Sequence, residues 1–150
     1  MRIESDAVIP FPRELVFRTY RDEMTRFVEY LPNVRDIEVQ SRSDDGAITK
    51  LHNVWYGKAI VPDALLGVLD PEKLAWNDYA TWDADRLECE WSIETFVMAE
   101  AIRCWGRNRF IDLEGKRTRH EMAVATRPIE TPVGTLAPGT VAAQRFTWQG

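Results

Sequence analysis

Five polar side chains in this sequence fall at strand positions whose neighbours are apolar, and these are the side chains best placed to do chemistry. They are His52, Tyr56, Asp78, Asn108 and His120. In an apolar pocket, a few such groups orient a bound ligand through hydrogen bonds, and a carboxylate or an imidazole can also transfer a proton. Each of the five could equally be a core polar group with its hydrogen bonds satisfied, so both interpretations stay open here.

Asp78 is the most interesting of the five as an acid. It is flanked by Trp76 and Tyr79, and the predicted strand pairing places Trp91 opposite it. Removal of water from a carboxylate disfavours its charged form and raises its pKa. The sequence therefore predicts that Asp78 is an acid or a hydrogen-bond partner for a ligand.

Asn108 and His120 form a second predicted polar group, on the hairpin closed by the loop 113–115. With those three residues as the loop, Asn108 lies opposite His120. Asp78 lies some six residues further along the strands, roughly 20 Å away at about 3.3 Å per residue. We therefore expect Asn108 and His120 to work together, with His52 across the cavity, and Asp78 to act apart from them.

Strands with alternating apolar residues must position these groups. Pairing Trp82 with Leu87 across the turn 83–86 places the apolar residues of two neighbouring strands on one face. The turn at 43–46, with its Asp-Gly pair, predicts a second hairpin. With a loop of either two or four residues, Ile37 and Val39 share a face with His52, Val54 and Tyr56. The predicted strands are 2–9, 35–42, 47–57, 73–82, 87–95, 101–112 and 116–126.

Six further residues fall on the predicted inner face and complete the candidate ligand-binding site. They are Trp76, Trp82, Trp91, Cys104, Phe110 and Met122. Tryptophans at such positions usually fill a core, but a cluster that lines a cavity would suit a flat aromatic or polycyclic ligand by stacking.

The helices are predicted from proline positions and from a spacing of three and four residues. Pro12 precedes an apolar stripe that runs from Val16 to Leu31 and indicates one amphipathic helix, or two short ones broken near Asp22. A short apolar helix is predicted at 64–69, as a plug on the core or a lid beside a pocket. Residues 126–150 carry five Pro and Gly breaks and no long helix.

The order of these elements resembles the START-like superfamily, also called SRPBCC or the polyketide cyclase/dehydrase and birch-pollen-allergen-like fold. The resemblance is carried by the segments from Ile9 to Phe17 and from Tyr30 to Val34 and covers roughly residues 1–127. It implies an α+β helix-grip fold, in which a curved antiparallel sheet of six or seven strands wraps around helices and an apolar cavity. It also implies a long C-terminal helix that closes the cavity, which this sequence lacks or shortens.

The length and net charge of the chain indicate how many domains it has and which classes of protein it is unlike. A chain of 150 residues with net charge −5 is predicted to be one domain over residues 1–150, and it argues against a nucleic-acid-binding protein. No stretch reaches the roughly 20 apolar residues of a membrane span, so a cytoplasmic location is predicted. The cysteines Cys89 and Cys104 show no metal-ligand spacing, and we expect neither a metal nor a cofactor. A homodimer is compatible with the sequence.

Three functions fit these observations. The first is binding or carriage of a small hydrophobic molecule in the cavity, because no catalytic constellation is recognisable. The second is an enzyme of the polyketide cyclase, aromatase or dehydratase type, which the resemblance also implies. The third is an interaction surface formed by Arg103, Arg107 and Arg109 around Trp105, with a predicted ion pair between Arg107 and Glu121.

Overall fold

Seven antiparallel strands form one curved sheet in the computed structural model, which describes residues 2–58, 73–96 and 102–128. The strands are β1 (Arg2–Ile9), β2 (Val34–Asp45), β3 (Ile48–Gly57), β4 (Ala75–Asp83), β5 (Glu88–Thr95), β6 (Ile102–Leu113) and β7 (Arg117–Pro128). Their order across the sheet is β1-β7-β6-β5-β4-β3-β2. The α+β class with a sheet of six to seven strands is therefore confirmed.

Two short helices connect β1 to β2. Helix α1 (Arg13–Asp22) is followed by a 3₁₀ helix (Met24–Tyr30), so the predicted break near Asp22 is present. Pro12 fits the helix start because its fixed φ suits the first turn, and its carbonyl oxygen accepts the N–H of Val16 at 3.1 Å. At the other end of α1, the N–H of Glu23 donates to the carbonyl oxygen of Thr19 at 3.0 Å.

The core lies where α1 packs against one end of the sheet. Phe17 is 2% exposed, and its ring makes edge contacts with Trp82 at 5.4 Å and Phe110 at 5.6 Å between centroids. We call the side of the sheet that carries Trp82 and Phe110 the helix face, and the side that carries Tyr79 and Trp105 the far face.

Two turns keep the predicted face but shift the predicted register by two residues. Trp82 pairs with Cys89, whereas the prediction was Leu87. The Asp83 carboxylate accepts the N–H groups of Asp85 and Arg86, which starts the turn one residue later. Leu87 takes a φ of 51° and still joins Trp82 in the core. Similarly, Asp112 accepts the N–H of Gly115 in the last hairpin.

The face predicted from the Asp-Gly hairpin is wrong. A bulge between Val39 and Ser41 adds one residue to β2, so Val39 pairs with Asn53 and Ile37 with Trp55. An extra residue in one strand reverses which side chains share a face. Ile37 and Val39 consequently lie on the helix face, whereas the even-numbered residues of β3 that were predicted to accompany them lie on the far face.

The predicted helix at 64–69 and the tail 129–150, including its predicted lack of a long helix, lie outside the described residues. Among the residues that are described, no helix has both the length and the apolar character needed to cross a membrane.

Candidate functional site

Asp78 lies on the helix face at the end of the sheet away from α1. It pairs with Asn53 on one side and Ile93 on the other. Its Oδ2 accepts the indole N–H of Trp55 at 3.2 Å. Burial raises the pKa of Asp78 to about 6, although hydrogen bonds from Trp55 and Asn53 oppose the rise. A carboxyl with this pKa can give or accept a proton near neutral pH.

Asn53 adds an unused hydrogen-bond acceptor beside this carboxyl. The residue is 3% exposed, and its buried Oδ1 has no hydrogen-bond partner among the residues that the structure describes. A buried acceptor without a donor costs about 1–3 kcal/mol. A ligand hydroxyl or N–H group next to Asp78 would remove that cost, so the pair suits a ligand with a hydrogen-bond donor.

Tryptophans surround this polar pair. The rings of Trp55 and Trp76 are stacked with centroids 5.9 Å apart. Trp91 lies over Gly106, its cross-strand partner, and its indole N–H donates to Asn108 Oδ1 at 3.1 Å. The helix face beyond α1 therefore combines large flat side chains with a few polar atoms, which is the composition of a small-molecule site.

Some of the predicted site residues lie on the same face as Asp78, and others belong to the hydrophobic core. Trp76, Asp78, Trp91, Cys104, Asn108 and Met122 lie on the helix face and are partly buried. Burial also raises the pKa of the Cys104 thiol. Trp82 and Phe110 are buried beneath Phe17, which places both in the core.

The predicted pairing of His120 with Asn108 is wrong. The last hairpin is shifted by two residues, so His120 pairs with Phe110 and Asn108 with Met122. The imidazole stacks on Phe110 at 5.0 Å and lies 5.0 Å from the Tyr20 ring of α1. Within the described part of the chain, its Nε2 has no hydrogen-bond partner. Burial lowers the pKa of His120 to about 4. As predicted, the register keeps it about 20 Å from Asp78.

The predicted inward orientation of His52 and Tyr56 is also wrong, because the bulge in β2 reverses that hairpin. His52 stacks on Tyr79 of the far face at 4.5 Å, and its Nε2 lies 2.7 Å from Asn77 Oδ1. The hydroxyl of Tyr56 donates to Glu38 at 3.2 Å. Neither side chain reaches Asp78 on the helix face.

The sequence prediction missed Asn53 and Trp55. Both alternations of β3 contain apolar residues, with Leu51 and Trp55 on one side and Val54 and Tyr56 on the other. The alternation therefore does not decide which side faces inward. The alternation of β4 places Asp78 on the inner face. Asn53 is the cross-strand partner of Asp78 and shares its face, so the pattern of β4 could have identified Asn53.

The far face carries the predicted arginine row. The predicted ion pair of Arg107 with Glu121 is wrong, because Arg107 binds Glu90 at 2.5 Å and Arg109 is the residue that approaches Glu121, at 3.5 Å. Beside this row a groove of about 940 Å³ runs across the sheet. Among the described residues, no three His, Cys, Asp or Glu side chains come together as a metal site.

Comparisons with known proteins identify the fold. No protein-family model matches the sequence, and no curated protein is significantly similar to it. In structure, the chain is similar to the Zhui aromatase/cyclase from Streptomyces sp. R1128, with 13% identity and a TM-score of 0.64, over 89% of this chain and 71% of that chain. It is also similar to norcoclaurine synthase from Thalictrum flavum, with 9% identity and a TM-score of 0.55, over 86% and 69% of the two chains.

A third similar structure is a START superfamily protein from Mycobacterium smegmatis, with 9% identity and a TM-score of 0.54, over 92% of this chain and 81% of that chain. Identities this low show the fold and leave the activity to be argued from the site. The chain has the START-like, helix-grip fold.

Proposed function

We propose that the protein binds a small hydrophobic molecule on the helix face of its sheet, next to Asp78. The observation that carries this proposal is the buried pair of Asp78 and Asn53. Asp78 is a carboxyl with a raised pKa, and the Asn53 oxygen accepts no hydrogen bond from any described residue. The stacked rings of Trp55 and Trp76 beside that pair suit a flat aromatic or polycyclic ligand. A hydroxyl on such a ligand would meet both polar side chains.

A second candidate function is catalysis of the cyclase or aromatase type, and the pKa of Asp78 favours it. Two solved proteins of this fold are named aromatase/cyclases, Zhui and the di-domain BexL. A carboxyl with a pKa of about 6 is suited to proton transfer during such ring closure. Asp78 is better placed than His120 for this step, because His120 lies beneath α1 and Asp78 faces the tryptophans. The cytoplasmic location and the homodimer stay predictions.

The binding proposal is tested with N-phenyl-1-naphthylamine, a neutral fluorescent probe. We expect Trp91→Ala to weaken probe binding about tenfold, because the indole forms part of the apolar surface of the site. Phe11→Ala is the control, since it removes an exposed aromatic ring between β1 and α1, at the end of the sheet away from Asp78, and should leave the affinity unchanged. Equal affinities in both variants would refute the site. Circular dichroism must show that Trp91→Ala is folded, because such truncations cost about 3–5 kcal/mol.

Asp78→Asn separates the two functions. In a carrier, this variant changes only the affinity, by the roughly 1–3 kcal/mol of an altered buried hydrogen bond. In an enzyme it keeps binding while turnover of a poly-β-ketone substrate falls about 100-fold or more. His120→Phe is the control and should leave turnover intact. Loss of turnover in His120→Phe alone would reject Asp78 as the catalytic group.

A further inference from the structure

The groove on the far face consists of two neighbouring rows of side chains that cross the strands. The first row contains Trp105, Ser92, Tyr79 and His52, which are cross-strand partners in that order from β6 to β3. The second row, two residues further along the strands, contains Arg107, Glu90, Thr81 and Lys50. One row is therefore aromatic and the other is charged, and both line the same groove.

Tyr79 is held in position from one side. His52 stacks on it with an interplanar angle of 20°, and Asn77 holds the imidazole at 2.7 Å. Because His52 belongs to β3, it covers the ring face of Tyr79 that is turned toward β3. The other ring face is turned toward β5, and the side chain remains 42% exposed.

Trp105 lies on the side of Ser92 that is opposite Tyr79, and it is 44% exposed. Tyr79 and Trp105 are two strands apart, a separation of roughly 9–10 Å, and Ser92 lies between them on β5. Two aromatic walls with a small residue between them leave room for one planar ring, because stacked aromatic groups approach at centroid distances of about 4.5–7 Å. The first row thus forms a slot for a flat group.

The second row places positive charge beside this slot. Lys50 has no hydrogen-bond or ion-pair partner among the described residues, and it is the cross-strand partner of Thr81. Arg107 is paired with Glu90. With that pair neutralised, Lys50 supplies the unbalanced charge of the row, on a chain whose net charge is −5.

We propose that this groove binds a small planar aromatic anion, with its ring between Tyr79 and Trp105 and its anionic group at Lys50. This site lies on the opposite side of the sheet from Asp78 and does not depend on the function proposed for the helix face. A nucleic-acid strand fits less well, because Glu90 stands between Arg107 and Lys50 in this row and pairs with Arg107, which interrupts the positive charge that phosphates would follow.

The proposal is tested by titrating the ¹⁵N-labelled protein with 2-naphthoate, and with the isosteric neutral 2-naphthamide as the comparison. Indole N–H signals distinguish the two faces, because Trp105 lies on the far face and Trp55 and Trp91 on the helix face. We expect the Trp105 signal to shift with naphthoate and the signals of Trp55 and Trp91 to stay in place. Shifts of Trp55 and Trp91 without a shift of Trp105 would overturn the proposal.

Single substitutions test the aromatic slot and the positive charge of the site separately. Trp105→Ala should weaken naphthoate binding about tenfold, the effect of losing one stacked ring, whereas Trp105→Phe should retain most of it. Lys50→Gln should abolish the preference for naphthoate over naphthamide, and Lys116→Gln in the last loop is the control that should not. Equal binding of the two probes by the parent protein would reject an anion site. Binding of single-stranded oligonucleotide at Trp105, without naphthoate binding, would replace it with a nucleic-acid surface.

Discussion

Asn53 and Asp78 form a buried pair that has more hydrogen-bond acceptors than donors. The Asn53 oxygen lacks a donor, and the Asp78 carboxylate supplies none when it is ionised. Such unsatisfied groups lower the stability of the folded state and are typical of sites that bind or react. We therefore expect the pair to lower the stability of the free protein and to favour binding of a ligand that donates a hydrogen bond.

Replacing Asp78 with Asn should stabilise the protein at neutral pH. The new amide N–H can donate to the Asn53 oxygen, and no charge has to be buried. We expect the free energy of unfolding at pH 7.5 to rise by about 1–3 kcal/mol, measured by urea denaturation. Asp6→Asn, at an exposed position of β1, is the control and should change it by less than about 0.5 kcal/mol. A less stable Asp78→Asn variant would contradict this account.

The identity of the important acid could be predicted from sequence, but its neighbours could not. Asp78 is flanked by Trp76 and Tyr79, and that local context sufficed to predict a raised pKa. The location of His52 depended on a bulge in β2, which a single sequence does not reveal because one extra residue leaves the alternation on each side intact. The prediction therefore placed Asp78 on the correct face of the sheet with a raised pKa, whereas it placed His52 on the wrong face.

At the level of strands, the sequence predicts which side chains share a face of the sheet wherever the alternation of apolar and polar residues alone decides it. The succession of strands along the chain follows from the alternation and the helix start from Pro12, and the structure contains both. The break near Asp22 was one of two alternatives, and it is present. The register was less predictable, because Asp83 and Asp112 bind backbone N–H groups and thereby choose where each turn starts. A shift of two residues keeps every face but changes every cross-strand partner.

Gly106 is the position in β6 that lets Trp91 lie flat on the sheet. A Cβ there would collide with the Trp91 ring and would lie 2.6 Å from the Ala123 carbonyl oxygen. We expect Gly106→Ala to destabilise the protein by about 1–3 kcal/mol, the usual cost of overpacking, and to weaken N-phenyl-1-naphthylamine binding. A double-mutant cycle with Trp91→Leu measures the coupling. Additive effects of the two substitutions would show that Gly106 does not support Trp91.

At the level of the whole molecule, Asp78 and His120 make stability depend on pH in opposite directions. The raised pKa of Asp78 means that the folded state binds its proton more tightly, so stability rises as pH falls from about 6 to about 4. The lowered pKa of His120 means that the unfolded state binds its proton more tightly, so stability falls as pH drops from 6.5 to about 4. In the parent protein these two contributions largely cancel.

Single substitutions should expose each contribution. In Asp78→Asn the histidine contribution remains, and we expect the free energy of unfolding to fall by roughly 2 kcal/mol between pH 6.5 and pH 4.5. In His120→Phe only the carboxyl remains, and the same measurement should rise by a similar amount. Parallel profiles for the two variants would show that other groups dominate this pH range.

The edge position of β1 determines when the sheet can be completed during synthesis. Among the described strands, β1 pairs with β7 alone. The Thr118 hydroxyl donates to the Phe11 carbonyl oxygen, 107 residues earlier in the chain. At about 5–20 residues per second, a ribosome needs roughly 5–20 s to make that stretch. During this time β1 has no partner, and the charges at Arg2, Glu4 and Asp6 protect it from pairing with other chains. β1 can therefore join the sheet only after β2 to β7 have all been synthesised.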